Sequence, residues 1–257
     1  MVHSGKRVTS MRATAIEFRL RMAIIVVIIT LGFWAPWIHF WGIGRWISML
    51  EWLALQLTRL GLVDFSVATP VVIVAGALIA ATGAVLRVWG TAWLGPATVN
   101  HGQMQAGTVL ADGPYRYVRN PLYLGTGFMV VAMAFLMPVT GAVFVLVLLP
   151  VFELRLILAE EAFLSAQLGE PYQAYLHAVP RLLPRLRSRL HPTGRKPHWL
   201  HAVLAEINPI GIFVILAGLS WTYNNWLMVK AVIVSLGLSL VVRALLPSLP
   251  QEPTPAE

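Results

Sequence analysis

Two stretches of this chain concentrate side chains that donate, accept or carry charge. The first is Gly113-Pro114-Tyr115-Arg116-Tyr117-Val118-Arg119-Asn120-Pro121-Leu122-Tyr123-Leu124-Gly125. The second, two apolar segments later, is Glu160-Glu161, preceded by Glu153 and Arg155. Asp112-Gly113-Pro114 has the composition of a tight turn, and Pro121 suits the first turn of a helix, where a missing N–H costs nothing. Two arginines and three tyrosines between positions 115 and 123 are more donors than such a junction requires. The junction also leaves backbone N–H groups free at a helix N-terminus, where a carboxylate or phosphate is well received. On a helix, Glu153 and Glu160 share a face and Arg155 points to the opposite one. An ionisable group inside an apolar segment is costly and is a functional candidate for that reason. Together these residues describe a tyrosine- and arginine-lined pocket beside carboxylates at one membrane face, suited to chemistry on a membrane-soluble substrate.

The elements that must position them are set by composition. Of 257 residues, 58% are hydrophobic and only 12% charged, and the mean hydropathy is +0.73. A soluble domain carries about twice that charge. Several windows reach the roughly 20 apolar residues that a spanning helix needs, and they are too long for barrel strands. The expectation is an all-α, polytopic membrane protein. There is no cysteine, which excludes disulfides, thiolate metal ligands and a cysteine nucleophile. The net charge of +8 reads as the basic inner side of a membrane protein and not as a nucleic-acid footprint.

The apolar windows fall near 21–40, 67–87, 121–137, 139–158, 207–223 and 226–245. The stretch 45–62 is mixed: Trp46, Ile47, Leu50, Leu53, Ala54, Leu57 and Leu60 form one helical stripe, with Arg45, Glu51, Gln56 and Arg59 elsewhere. It reads as an interfacial amphipathic helix. With six spans and a cytoplasmic N-terminus, all of the 19 Lys and Arg except Arg45, Arg59 and Lys230 lie inside. A seventh span would send Arg87, Arg116, Arg119 and the run from Arg181 to Lys196 outward, so the positive-inside bias selects six. The expected organisation is a basic cytoplasmic N-terminus (1–20), an uncleaved first span opening a core (21–184), a basic linker (185–206), a further hairpin (207–246) and a disordered Pro-rich tail (247–257). Pro150 is expected to kink the fourth span, and Gly76, Ala80 and Gly83 predict close helix packing in the second.

The ordered set Gly-Pro-Tyr-x-x-x-Arg-Asn-Pro-x-Tyr-x-Gly, an apolar hairpin, Glu160-Glu161, then Leu168-Gly169-x-x-Tyr172-x-x-Tyr175-x-x-x-Val179-Pro180-x-x-x-Pro184 resembles the isoprenylcysteine carboxyl methyltransferase and phospholipid methyltransferase superfamily over roughly 100–184. The resemblance implies S-adenosylmethionine bound at the cytosolic face and a lipophilic acceptor entering from the bilayer. It implies cofactor contacts from Asn100, Val109, Leu110, Tyr115, Asn120, Pro121, Leu122 and Tyr123. Glu160 would meet the cofactor's amino group, with Glu161 supporting it; Arg119, Glu153 and Arg155 are the candidate catalytic groups. Many members carry His where this chain has Asn120, which hydrogen-bonds but cannot titrate near neutrality. The prenylcysteine enzymes place a substrate-carboxylate arginine one turn before the first Glu. Here that position is Leu156, with Arg155 adjacent and rotated by about 100°, which argues against a prenylcysteine carboxylate.

Methyl transfer suits such a site, because a sulfonium methyl is already activated and the protein must mainly align the partners and exclude water. A carboxylate acceptor needs no base; an amine, phenol or thiol does, and Glu153 or Glu160 are the candidates. Two other classes compete. Sterol-type membrane reductases share a similar loop and use NADPH, but typically carry Asp, Cys and Lys where this chain offers Glu160 and Glu161 and has no cysteine. A non-catalytic lipid-binding or transport protein would gather its polar groups at midplane in interrupted helices. His191, His198 and His201 lack an acidic or cysteine companion and are not read as a metal site; His101 reads as a polar loop residue. The ten tryptophans, Trp34, Trp37, Trp41 and Trp46 among them, read as an interfacial belt, and the run Arg181–Lys196 as a patch facing anionic headgroups.

Overall fold

The computed structural model describes residues 11–94, 109–188, 190, 191 and 195–246. Asn100, His101, the segment 95–108 and the tail 247–257 lie outside the described residues. Within them the chain is all-α; the only β-type pairing is an isolated bridge between Ser48 and Pro138.

The chain enters through α1 (Ala15–Arg19), where Thr14 and Glu17 form a capping box, a reciprocal satisfaction of two orphan donors. Then come α2 (Arg21–Trp34), α3 (Pro36–Trp41) and α4 (Met49–Arg59), the last opened by a second capping box between Ser48 and Glu51. Next are α5 (Phe65–Leu94), a 3-10 turn (Gly113–Arg116), α6 (Pro121–Ala134), α7 (Val139–Leu168) and α8 (Glu170–Ala178). Finally come α9 (Trp199–Ala205), α10 (Ile207–Gly218) and α11 (Asn225–Leu245). Every apolar window of the sequence is helical. Among the described residues three helices, α5, α7 and α11, are long and apolar enough to cross a membrane, and α9 with α10, bent by 67°, would make a fourth. At 14 residues each, α2 and α6 rise only about 21 Å, short of a hydrocarbon core of about 30 Å.

Two crossings hold the bundle. On α5 and α6, a Cβ added to Gly83 would stand 2.9 Å from the Gly125 carbonyl oxygen, and one added to Gly125 would stand 2.6 Å from Arg87 Cγ. Between α2 and α7, a Cβ on Gly141 would run into the Gly32 carbonyl. Small residues let the backbones approach this closely, which is what drives helix association in lipid. Around these crossings Ala84, Met129, Val145, Leu149, Ile212 and Leu216 form the core, while Leu78, Val85, Val147, Val151, Ile233 and Leu240 are exposed on the outer faces. So continuous an apolar exterior fits lipid as the surrounding solvent.

Pro150 lies inside α7, which is helical through 30 residues. On α4, Leu50 and Ala54 are covered by Ala68, Val72 and Ile73 of α5 and by Phe135, while Trp46 and Leu60, at the ends of the stripe, are exposed. The centre of that stripe therefore packs on protein. Trp34, Trp41 and Trp46 are exposed as an interfacial belt would have them, but Trp37 donates its indole N–H to Thr140 Oγ1 at 2.9 Å and stacks on Phe144.

Candidate functional site

The loop that leads into α6 is built by a turn that only glycine permits. Gly113 has φ +53°, and a Cβ there would collide with the Trp93 indole of α5. The 3-10 turn that follows buries Pro114 and Tyr115. A strap formed by 179–191 runs beside it. Arg119 N–H donates to the Pro180 carbonyl (2.9 Å), Arg185 N–H to the Tyr117 carbonyl (3.0 Å), and the Tyr175 hydroxyl to the Tyr115 carbonyl (2.8 Å). The Arg116 guanidinium donates to the Leu190 carbonyl at 2.6 and 3.0 Å, and that of Arg185 to the Ala178 carbonyl at 2.7 Å. Both guanidiniums thus satisfy backbone carbonyls.

Asn120 occupies the N-cap position of α6, yet its side chain caps nothing. Its Nδ2 instead donates to Glu161 Oε1 (3.3 Å) and to the Arg181 carbonyl (3.2 Å). Glu161, 6% exposed, is clamped by Arg181 through bonds of 2.7 to 3.2 Å, with Arg119 Nη1 3.5 Å away on the other side. The Arg119 Nε is buried and makes no hydrogen bond. One turn into α6, the Tyr123 hydroxyl donates to Glu160 Oε2 at 3.1 Å. The adjacent carboxylates of α7 thus meet the loop through different partners.

Glu153, two turns before Glu160, is only 7% exposed, and no hydrogen bond or ion pair to it is found among the described residues. Arg87 of α5 reaches it by its field alone, and Tyr123 feels both Glu153 and Glu160. Arg21, at the start of α2, stands close enough for its charge to act on Tyr123 and Glu160. Outside the spanning helices, burial pushes the Tyr115, Tyr172 and Tyr175 hydroxyls above their ordinary range, and of the three Tyr175 donates to the Tyr115 carbonyl. Hydrogen bonding to Glu161 holds the Arg181 guanidinium charged.

Of the residues singled out in the sequence, Tyr123, Asn120, Arg119, Glu160 and Glu161 come together, with Tyr115 buried under the same loop. Pro121 is buried at the first position of α6. Val109 is half-buried against the Tyr172, Tyr175 and Val179 cluster, and Leu110 is half-buried beside it in the chain. Leu122 turns toward α5, where it lies over Gly90. Arg155 is not brought to the carboxylate pair: its Nη2 bonds both oxygens of Glu17 at 2.9 and 2.8 Å, pinning α1 to α7 on the far face. Sequence reasoning missed Arg181 as the partner of Glu161, because a basic run on a membrane protein reads as headgroup-facing. It also missed Glu206, although this is the sole acidic residue between Glu170 and Glu252.

Residues 71–170 match the family model for phospholipid methyltransferase. That segment spans α5 to the start of α8 and carries Glu153, Glu160, Glu161 and the loop, and the family it is similar to is one of integral-membrane methyltransferases. No curated protein and no solved structure matches the chain.

Proposed function

We propose that the protein transfers the methyl group of S-adenosylmethionine to a lipid or other hydrophobic acceptor, and that the acceptor group is an amine. The observation that carries the reading is the pairing of Tyr123 with Glu160 and of Asn120 with Glu161, which joins the loop to both carboxylates inside the methyltransferase segment.

The residues fit the cofactor. Glu160 offers a carboxylate, bonded only by a tyrosine hydroxyl, to the ammonium of an amino-acid moiety. The buried, unbonded Nε of Arg119 offers a donor to its carboxylate. Val109, Leu110, Tyr115, Asn120 and Pro121, with Asn100, complete the contact set we assign, while Leu122 supports α6 from behind. Bound there, S-adenosylmethionine supplies an electrophilic methyl on a sulfonium.

The acceptor class follows from charge. Glu17, Glu161 and Glu206 are each bonded to an arginine, whereas Glu153 is buried without one. A buried carboxylate in that state is costly unless a cation joins it, and an alkylammonium head on an apolar tail supplies that cation from the bilayer. Glu153 pairs with the ammonium and then takes one N–H proton, which frees the nitrogen lone pair to form the new N–C bond. A carboxylate acceptor at that position would instead set a second negative charge beside the buried Glu153. We assign Arg155 to anchoring α1 and not to the reaction.

We place the N-terminus and site on the cytoplasmic side, with α2 and α6 completing six crossings; the distribution of Lys and Arg supports this. Because the chain has no cysteine, a single Ser188→Cys variant reports the side directly: thiol labelling from outside intact cells would overturn the orientation. The test of the function is calorimetric titration of the detergent-purified protein with S-adenosylhomocysteine, with NADPH in parallel. Binding of the former that is lost in Glu160→Gln is the expected result, and binding of NADPH alone would replace this reading with a reductase.

A further inference from the structure

At the end of the bundle away from the site, the first turns of α4, α5 and α11 open around a cleft of about 410 Å³. That volume falls within the roughly 300–1,000 Å³ of small-molecule sites. From Pro121 at the site, α6 runs 14 residues to Ala134, a rise of about 21 Å. The turn after Ala134 then holds two walls of the cleft. Leu50 N–H of α4 donates to the Phe135 carbonyl at 3.0 Å, and Asn225 Nδ2 of α11 donates to the Leu136 carbonyl at 3.1 Å. Leu50 and Met228 are buried, whereas Phe65 and Tyr223 leave much of their rings exposed, and all four line the cleft.

Its polar lining has spent its protons and kept its lone pairs. The three buried hydroxyls, Ser48, Thr69 and Ser220, donate inside the protein: to Glu51 Oε2 at 2.9 Å, to the Phe65 carbonyl at 3.1 Å and to Met228 Sδ at 3.3 Å. Asn225 Oδ1 is buried and accepts no hydrogen bond. Glu51 takes both of its bonds, from Ser48 N–H and Oγ, on Oε2, which leaves Oε1 unbonded among the described residues. A buried acceptor without a donor is costly to keep. Three helices begin here, and free N–H groups at such ends would favour an anion. Those groups are already occupied: Glu51 N–H donates to Ser48 Oγ, Leu227 N–H to Asn224 Oδ1, and Val67 and Ala68 N–H to the Asp64 carbonyl. No lysine or arginine is among the described residues that line the cleft, and Glu51 is its charged group.

We propose that this cleft is a second ligand site, which takes the ammonium head of an amine-bearing amphiphile from the leaflet opposite the methyltransferase site. Glu51 and Asn225 accept its N–H bonds, the charge lies beside the Phe65 and Tyr223 rings, whose faces attract a cation, and the first part of the alkyl chain packs on Leu50 and Met228. Nothing in this assignment depends on the methyl-transfer reading.

Because the chain has no cysteine, Ser66→Cys puts a single thiol on the exposed lip of the cleft. Its reaction with a maleimide is timed in the full-length protein in non-ionic detergent, with dodecylamine, dodecanol or dodecanoate added. Ser188→Cys, on the strap at the other end, is the control for effects on the micelle. Dodecylamine should slow Ser66→Cys labelling by about fivefold or more relative to the control, as a ligand at several times its Kd does, while dodecanol and dodecanoate change it by less than about twofold. Glu51→Gln, which keeps a capping-box residue at that position and removes its charge, should reduce the protection by dodecylamine to under about twofold. If that variant gives no single size-exclusion peak, Asn225→Leu takes its place and must lose protection in the same way. Equal slowing by all three amphiphiles, stronger slowing by dodecanoate, or protection retained in the variant would mean that the cleft does not read an ammonium, and each overturns the proposal. Absence of any slowing overturns it as well. The readout is local to the cleft, so none of these failures touches the binding of S-adenosylhomocysteine, which tests the other site separately.

Discussion

Glu160 and Glu161 are neighbours in sequence and identical in chemistry, yet they meet opposite surroundings. Glu161 turns toward the strap, where Arg181, Arg119 and Asn120 surround it. Glu160 turns toward α6 and meets one tyrosine hydroxyl. A 100° step along a helix is enough to send one carboxylate into a saturated ion cluster and leave the other with spare acceptor capacity. A saturated buried carboxylate holds structure together, because its lone pairs and its charge are already matched. An unsaturated one is costly until a ligand arrives, and that cost is what a binding site exploits. The same division separates Glu206, bonded on both oxygens, from Glu153, bonded on neither among the described residues.

The comparison breaks if the two glutamates respond alike to the same substitution. Glu161→Gln has the largest expected effect on stability: it leaves Arg181 and Arg119 without their anion. It should lower unfolding free energy by about 1.5–3 kcal/mol, the range for hydrogen bonds to charged groups, and speed proteolysis of the strap between 179 and 191. Glu160→Gln should reverse the pattern. S-adenosylhomocysteine affinity falls about tenfold, equivalent to ~1.4 kcal/mol, while the melting temperature stays within error of wild type. A matching loss of stability in both variants would merge the two environments. Tyr123→Phe sharpens the Glu160 side: deleting one neutral donor, worth about 0.5–1.5 kcal/mol, should weaken S-adenosylhomocysteine twofold to tenfold in calorimetry, less than Glu160→Gln does.

The smallest effect belongs to Glu17, whose ion pair with Arg155 is a half-exposed counterpart of the Glu161 clamp. The Thr14 backbone N–H, and then Arg155, hold its carboxyl below the ordinary range. A depressed carboxyl stabilises the folded state above its unfolded value of about 4.3, and that contribution disappears as pH falls through the lower folded value. Wild type should therefore melt higher than Glu17→Gln at pH 7, by the equivalent of under about 1 kcal/mol for so exposed a pair. The gap should close once the pH drops well below 4. A gap independent of pH would mean that the pair contributes packing alone.

The helices were legible because apolar run length and turn residues act locally, and each apolar window is helical, although the first breaks at Ala35 into α2 and α3. The loop-to-helix junction at 112–121 was legible for the same reason, since Gly113 and Pro121 restrict their own backbone. Asn120 shows where that legibility stops. As an N-cap it should satisfy its own helix, but its side chain goes instead to Glu161 and the strap. Nothing within a few residues of Asn120 announces this, because both partners arrive from more than 40 positions away.

Arginine partners were the least legible feature. Charge and position relative to the apolar windows suggest a cytoplasmic patch from Arg181 onward, and a substrate role for Arg155 because it neighbours the family's arginine position. Only packing shows that Arg116 and Arg185 cap carbonyls, that Arg181 clamps Glu161, and that Arg155 is spent on Glu17. A guanidinium on its flexible stem can choose among several acceptors, and the choice depends on what the fold brings within its reach.

By itself, then, the sequence determined that the chain is helical and membrane-embedded and where its turns fall, and it pointed to a tyrosine-bearing loop and a carboxylate pair as the candidate site. These follow from hydropathy and backbone restriction, which are properties of short segments. Tertiary structure alone decided which carboxylates are matched and which stand open among the described residues: Glu161 and Glu206 to arginines, Glu160 to a tyrosine, Glu153 to none. Electrostatic partnership in a low-dielectric interior depends on a few ångströms of separation between segments far apart in the chain, and no local pattern encodes that distance.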